Sequence, residues 1–259
     1  MTLEQWRQAR HAELAGPDSW LGLVGLFWLD AETSAVGSDA GCAVRLPSGP
    51  AFLGDLIRRD GVVFWRPAGG RAQQLRTDRD GLPDHVEQGA LSIFVIERQG
   101  RFAARVRDRA WAARQPFTGV GHYPEDPAWI VDAEWQPLET PLVLQVPDVT
   151  GELQPVTVAH KAVFMVAGQR VALLPLSVRE NEVFFVFRDR SSGRETYGAG
   201  RFLKAGPAEA GRIRLDFNRA FNPPCAFTAF ATCPLAPAEN WLPFAVPAGE
   251  LKWQGAHAA

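Results

Sequence analysis

Hydrophobic and polar positions follow a helical spacing only at the start of the chain. Residues 2–15 place Leu3, Trp6 and Leu14 roughly on one side of a helix. The glycine–proline pair at 16–17 is a stop signal, because proline cannot continue a helix. The pattern therefore predicts one amphipathic N-terminal helix.

After this helix the pattern is that of β-strands, in which polar and apolar residues alternate or short apolar runs lie between turn residues. Asp60-Gly61 and Gln99-Gly100 each separate two such runs, which is typical of a two-residue hairpin turn. Gly168-Gln169 separates a third pair. The predicted strands are residues 52–59, 62–66, 91–98, 101–107, 129–136, 142–146, 155–166, 171–178, 183–188, 201–204 and 212–217.

The spacing of these strands decides the fold class. They recur after short intervals, and no long helix separates them, which excludes a parallel β-α-β arrangement. The sequence predicts a mainly β protein, either an antiparallel barrel or strongly curved β-sheets, with the N-terminal helix covering an edge or an open end. Residues 1–259 are expected to form a single β-rich domain, and any division into subdomains would fall near 109–127.

Composition and charge exclude several classes of partner. The formal net charge of −2 gives no global basic field for nucleic acid. No apolar run approaches the ~20 residues of a membrane span, and the first 14 residues lack the apolar core of a signal peptide. The expectation is a soluble cytoplasmic protein that contacts neither nucleic acid nor membrane. The three cysteines are too few for a disulfide scaffold and are expected to be reduced.

Common catalytic motifs are missing from the sequence. Neither the G-x-S-x-G of serine hydrolases nor the P-loop motif occurs, and no motif identifies a cofactor. The five histidines are isolated, so we expect no metal site. His160 lies on an apolar strand face, where it is either a core histidine bonded to a neighbour or a general base projecting into a barrel.

Residues 188–250 are the most polar stretch and contain the candidate site. Asp189 and Asp216 each lie at the end of a predicted strand, while Gly198 and Gly200 allow a tight return of the chain. An Asn-Pro-Pro loop then restricts the backbone and holds nearby side chains rigidly. We therefore expect seven polar residues to converge on one pocket mouth: Asp189, Tyr197, Arg201, Asp216, Asn218, Asn222 and Glu250. The alternative is a structural network without a cavity, in which Arg201 bonds Asp189 or Asp216.

This same stretch carries a family resemblance. The strings DRSSGRETYGAGRFL, DFNRAFNPPCAF and TCPLAPAEN, and SWLGLVGLFWL near the N-terminus, resemble domain-of-unknown-function family 1684, which is found in bacteria and archaea. Ser191 stands where that family usually has Thr, and Phe221 where it often has Tyr, so a hydroxyl role at 221 is not expected here. The resemblance implies a bacterial or archaeal protein and assigns no activity, substrate or cofactor.

Three functions fit these observations. The first is a module that binds a small polar or amphipathic ligand in a β-barrel-type pocket. The second is a hydrolase or transferase with Cys225 as nucleophile, His160 as base, and Asp216 or Glu250 as the orienting carboxylate. The third is a thiol redox protein that uses Cys225 and Cys233. Seven residues separate these two cysteines and prolines lie at both ends of the segment, so the cysteines are expected to lie close together.

Overall fold

The computed structural model describes residues 1–114, 117–166 and 168–255. The protein is mainly β, with an N-terminal helix and a curled half-barrel sheet, as the sequence predicts. The described residues form two compact units. The first unit is Glu13–Phe117, and the second unit combines Met1–Ala12 with residues 118–255.

The chain begins with the helix α1, Leu3–Ala15, close to its predicted range. The first unit then contains the strands β1 (Leu23–Trp28), β2 (Thr33–Gly37), β3 (Val44–Arg45), β4 (Gly54–Arg59), β5 (Val62–Pro67), β6 (Gln73–Leu75), β7 (His85–Gln88), β8 (Leu91–Arg98) and β9 (Arg101–Asp108), followed by the short helix α2 (Arg109–Arg114). The sheet orders are β1-β9-β8-β7 and β3-β2-β4-β5-β6. Apolar side chains from both sheets, among them Val36, Leu56, Val95 and Val106, form its core.

Two hairpins of the first unit confirm the turn prediction. Asp60 and Gly61 join β4 to β5 with φ angles of 52° and 74°. Gln99 and Gly100 join β8 to β9 with 51° and 78°. Positive φ at both central residues matches the right-handed twist of the strands, which explains why these short sequences specify hairpins.

The second unit contains the strands β10 (Ile130–Pro147), β11 (Leu153–Val166), β12 (Gln169–Leu173), β13 (Ser177–Arg179), β14 (Glu182–Phe187), β15 (Arg201–Ala205) and β16 (Arg212–Asp216). One sheet has the order β12-β11-β10-β16 and the other β13-β14-β15, and the pairs within both are antiparallel. Phe185, Phe187 and Phe217 lie at the centre of the core. The predicted strand at residues 183–188 corresponds to β14, which pairs with β13 on one side and β15 on the other.

Two strand predictions are wrong in their extent. Residues 171–178, predicted as one strand, are divided between β12 and β13, which belong to different sheets. Residues 129–136 and 142–146, predicted as two strands, belong to the single long strand β10. Its pairing with β11 shifts register between Pro137 and Leu142, the stretch that contains Pro141. Proline has no amide hydrogen to donate, and such an irregularity lets the strand pass a proline without a lost ladder bond.

The single-domain expectation for residues 1–259 stays a prediction. The change from the first unit to the second, at Phe117 and Thr118, lies within the 109–127 stretch where the sequence placed a division. In the described part of the chain, no helix is long and apolar enough to cross a membrane.

Candidate functional site

Arg201, the first residue of β15, is at the centre of a buried network in the second unit. Its side chain is 0% exposed. It donates to Asp189 Oδ2 at 2.7 Å, to the Val246 carbonyl at 3.0 Å and to the Ala248 carbonyl. Its guanidinium also lies over the Phe187 ring, 5.3 Å from the centroid. A charge this deeply buried is tolerated because a carboxylate and several carbonyls pair with it.

The chain reaches this arrangement through a tight return between β14 and β15. Asp189 comes two residues after β14, and Gly200 immediately precedes Arg201. Gly200 has a φ of 102°, and a Cβ at this position would collide with the Phe187 carbonyl. Only glycine fits this site without strain, so the glycine identified in the sequence positions Arg201 against Asp189.

A short hydrogen-bonded chain connects the Asp189 carboxylate to Tyr123. Asp189 Oδ1 accepts from the backbone amide of Ser191 at 2.7 Å and from its hydroxyl. The Ser191 hydroxyl also lies 2.9 Å from Thr196 Oγ1 and hydrogen-bonds the Tyr123 side chain. Burial, together with the charge of Glu195, raises the pKa of Tyr123, so this phenol remains protonated at neutral pH.

Glu250 extends the network to the N-terminal helix. Its buried carboxylate accepts from Arg10 Nε of α1 at 3.2 Å and from the backbone amide of Asn222 at 2.6 Å. Burial raises the pKa of Glu250, while the Arg10 charge and the Asn222 hydrogen bond oppose this effect. The Asn222 side chain is buried and donates to the Leu251 carbonyl at 2.8 Å.

Asp216 and Asn218 belong to a different set of contacts. Asn218 exchanges two bonds of 3.0 Å with the backbone of Asp126, and Asp216 accepts from the Asn218 amide at 3.2 Å. Arg219 lies 3.1 Å from the Asp216 carboxylate. These contacts cap the turn after β16 and hold it against residues near 126, which is a structural role.

Tyr197 is in a third location, beside the two cysteines. Its hydroxyl donates to the Cys225 carbonyl at 2.9 Å. The backbone amide of Cys225 lies 3.1 Å from Cys233 Sγ, which confirms the expected proximity of the two cysteines. Both are free thiols. Of the seven predicted residues, the structure thus joins Asp189, Arg201, Asn222 and Glu250 in one network and places the other three elsewhere.

The contacts of His160 do not assemble a catalytic pair with Cys225. The His160 ring stacks on Trp135, with ring centroids 5.2 Å apart and planes 3° from parallel. No hydrogen bond joins His160 to Cys225 among the residues that the structure describes. Within residues 1–114, 117–166 and 168–255, no group of three or more His, Cys, Asp or Glu side chains could hold a metal ion.

A cavity of about 690 Å³ opens beside the network in the second unit. Its walls come from three separate segments and consist of Thr118, Gly119, Gly121, Tyr123, Arg194, Glu195, Leu251, Lys252, Trp253, Gln254 and Gly255. None of the seven predicted residues lines it, although Tyr123 and Leu251 bond to the network behind it. A separate cleft of about 390 Å³ includes Asp189 and Trp241.

Comparison with known proteins identifies the family. A family model described as "Protein of unknown function (DUF1684)" matches residues 115–251. The chain belongs to this family. The DUF1684 match contains all seven predicted residues and every member of the buried network except Arg10.

Among solved structures, the DUF1684 chain is similar to an uncharacterized protein of Haloarcula marismortui determined by solution NMR. The two are 30% identical, the alignment covers 53% of this chain and 78% of that chain, and the TM-score is 0.44. No curated protein matches the chain.

Proposed function

We propose that this protein binds a small amphipathic molecule with an anionic group in the cavity beside Trp253. The observation that supports the proposal is the cavity itself, which combines an indole face with two cationic side chains. Its volume of about 690 Å³ is within the ~300–1,000 Å³ typical of ligand pockets.

The apolar part of the ligand would lie against Trp253 and Leu251. Trp253 is held in place by Phe227, whose ring centroid lies 5.4 Å away, and by the close packing of Gly255 on the indole. A large aromatic side chain that is already fixed loses little conformational entropy when a ligand binds. This wall therefore favours a ligand with a planar or aliphatic apolar part over a ligand that is polar throughout.

The polar part of the ligand would face Arg194 and Lys252. Both line the cavity, and Glu195 offsets one of their two positive charges. The Lys252 amide donates to the Glu195 carbonyl at 2.9 Å, which holds the two segments together. One positive charge in excess favours a monoanion such as a carboxylate or a sulfonate.

The buried network makes the back of the cavity rigid. Tyr123 bonds through Ser191 to the Asp189–Arg201 pair, and its own amide donates to the Gly249 carbonyl at 3.0 Å. A preformed wall of this kind lowers the cost of ordering a site on binding. In this proposal the residues singled out from the sequence support the site from behind rather than touch the ligand.

The experiment uses anilinonaphthalene sulfonate, a fluorescent aromatic monoanion, as the probe. We expect saturable binding at one site per chain, lost in Trp253→Ala and about fivefold weaker in Lys252→Ala, the equivalent of ~1 kcal/mol for a surface charge contact. Trp241→Ala is the matched control, because this tryptophan is 55% exposed and lines the other cleft. Equal binding by Trp253→Ala and the unmodified protein would refute the proposal.

A second measurement addresses the natural ligand. Mass spectrometry of small molecules released on denaturing the purified protein should reveal an anionic compound that is depleted from the Trp253→Ala variant. A compound retained equally by this variant would place the site elsewhere.

A further inference from the structure

We propose that Cys225 and Cys233 are a redox pair that hydrogen peroxide oxidises to an intramolecular disulfide. This proposal is independent of ligand binding, since neither cysteine lines the cavity. It rests on the close packing of the two cysteines, on their unequal exposure and on the support of their backbones.

The two cysteines are held side by side by structure on both sides. Cys225 is in a short turn that follows two consecutive prolines, and its amide lies 3.1 Å from Cys233 Sγ. The backbone on either side of Pro234 is bonded to the end of β10, because Val149 donates to the Cys233 carbonyl at 3.0 Å and Leu235 donates to the Pro147 carbonyl at 2.8 Å. Neither thiol therefore has to travel far to reach the other.

The surroundings of Cys225 and Cys233 differ, and this difference assigns each cysteine its own role in the reaction. Cys225 is partly exposed, so a small oxidant can reach it, whereas Cys233 is only 4% exposed. Hydrogen bonding to the Cys233 side chain lowers the pKa of the Cys225 thiol, and the neighbouring Tyr197 hydroxyl acts in the same direction, although burial acts against this. The thiolate is the form that reacts with peroxide, so Cys225 is the attacking residue.

The reaction takes place in two steps. The Cys225 thiolate attacks one peroxide oxygen, forming an S–O bond as the O–O bond breaks, and the departing hydroxide takes up a proton to become water. Sulfur is oxidised to the sulfenic acid while peroxide is reduced. Cys233 Sγ then attacks the Cys225 sulfur, the S–S bond forms, and the S–O oxygen leaves as a second water with the Cys233 proton.

The placement of the basic residues makes the product simple to detect. No Lys or Arg occurs between Arg219 and Lys252, so trypsin releases both cysteines on one peptide, residues 220–252. Cys42 is released separately on residues 11–45 and serves as the internal control. It is in the first unit, where its thiol donates to the Ala51 carbonyl at 3.4 Å.

The full-length protein is treated with equimolar hydrogen peroxide, denatured, labelled with maleimide and digested. We expect the 220–252 peptide to lose two hydrogens and escape the label, while the Cys42 peptide stays labelled. Dithiothreitol should restore labelling of both cysteines. Oxidation of Cys42 at the same rate, or a 220–252 peptide that keeps both labels, would overturn the proposal.

Two single variants test the assignment of roles. Cys233→Ser should stop at a Cys225 sulfenic acid that dimedone traps, and Cys225→Ser should leave Cys233 unoxidised. Dimedone trapping on Cys233 instead would reverse the roles and overturn the assignment. The experiment on the unmodified protein decides the existence of the disulfide even if a variant fails to fold.

Discussion

Arg201 is the residue whose replacement should lower the stability of the folded protein the most. It is fully buried against Asp189, and removal of one partner leaves the other charge unpaired in the core. We expect Arg201→Leu to lower the free energy of unfolding by about 3–5 kcal/mol, measured by urea denaturation.

The control for this prediction is another arginine–aspartate pair. Arg212 and Asp132 are joined at 2.9 Å with side chains 46% and 67% exposed, so Arg212→Leu should cost at most ~1 kcal/mol. Equal losses in the two variants would show that the buried pair has no special role.

His122 makes the stability of the second unit depend on pH. Burial, together with the charge of Arg7, lowers its pKa from the ordinary 6.5 to about 4. The unfolded chain therefore takes up the His122 proton first, and stability should fall as pH falls from 6.5 to about 4. Urea denaturation across this range should show a smaller decrease for His122→Asn, and an identical decrease would contradict the assignment.

The sequence predicted the network better than the cavity. Asp189 and Arg201 could be connected in advance because a strand end and two glycines bring them together along a short stretch of chain. The cavity walls come from residues near 120, 194 and 253, which share no motif. These residues are distant in the sequence and come together only in the folded chain, so no local sequence pattern predicts the cavity.

The helix α1 is the element that connects the two ends of the chain. Arg10 pairs with Glu250, Arg7 donates to the Tyr123 carbonyl at 3.1 Å, and Trp6 meets Phe221 edge-on with ring centroids 6.3 Å apart. The apolar side of the helix is thus packed against the protein.

Deletion of residues 1–15 tests this role. The deletion leaves Glu250 buried without its arginine and exposes Phe221, so the melting temperature should fall by several degrees. Arg10→Met keeps the helix and removes only the charge, and it should cause a smaller fall. An unchanged melting temperature after the deletion would show that α1 contributes nothing to stability.

Strand predictions were correct where the turn residues themselves specify a hairpin. They were wrong where the extent of a strand depends on its pairing with other strands. Asp60-Gly61 specifies its hairpin because few other residue pairs adopt positive φ twice. Residues 129–136 and 142–146 were predicted as separate strands, but β10 continues through Pro137 and Pro141 because its pairing with β11 shifts register there. Short strands such as β3 and β6 were not predicted, because two or three residues carry no periodicity.

The division into two units explains why fold class was easier to predict than organisation. Alternation along each strand is a local property, and it indicated a mainly β protein correctly. The assignment of residues 1–12 to the unit formed mostly by residues 118–255 depends on contacts more than 100 positions apart, such as Arg7 with Tyr123 at a separation of 116. Nothing in the local sequence of α1 identifies these partners.

This arrangement also affects how the protein is made. The ribosome releases α1 long before Glu250, because Glu250, which pairs with Arg10, lies 240 residues later in the chain. At roughly 5–20 residues per second, the time between synthesis of α1 and synthesis of Glu250 is on the order of ten seconds or more. Residues 13–117 are complete long before then and are free to fold during synthesis, whereas the second unit can close only after Glu250 has been made. Nascent chains stalled before residue 250 should therefore carry an unpaired N-terminal segment, open to chaperones and proteases.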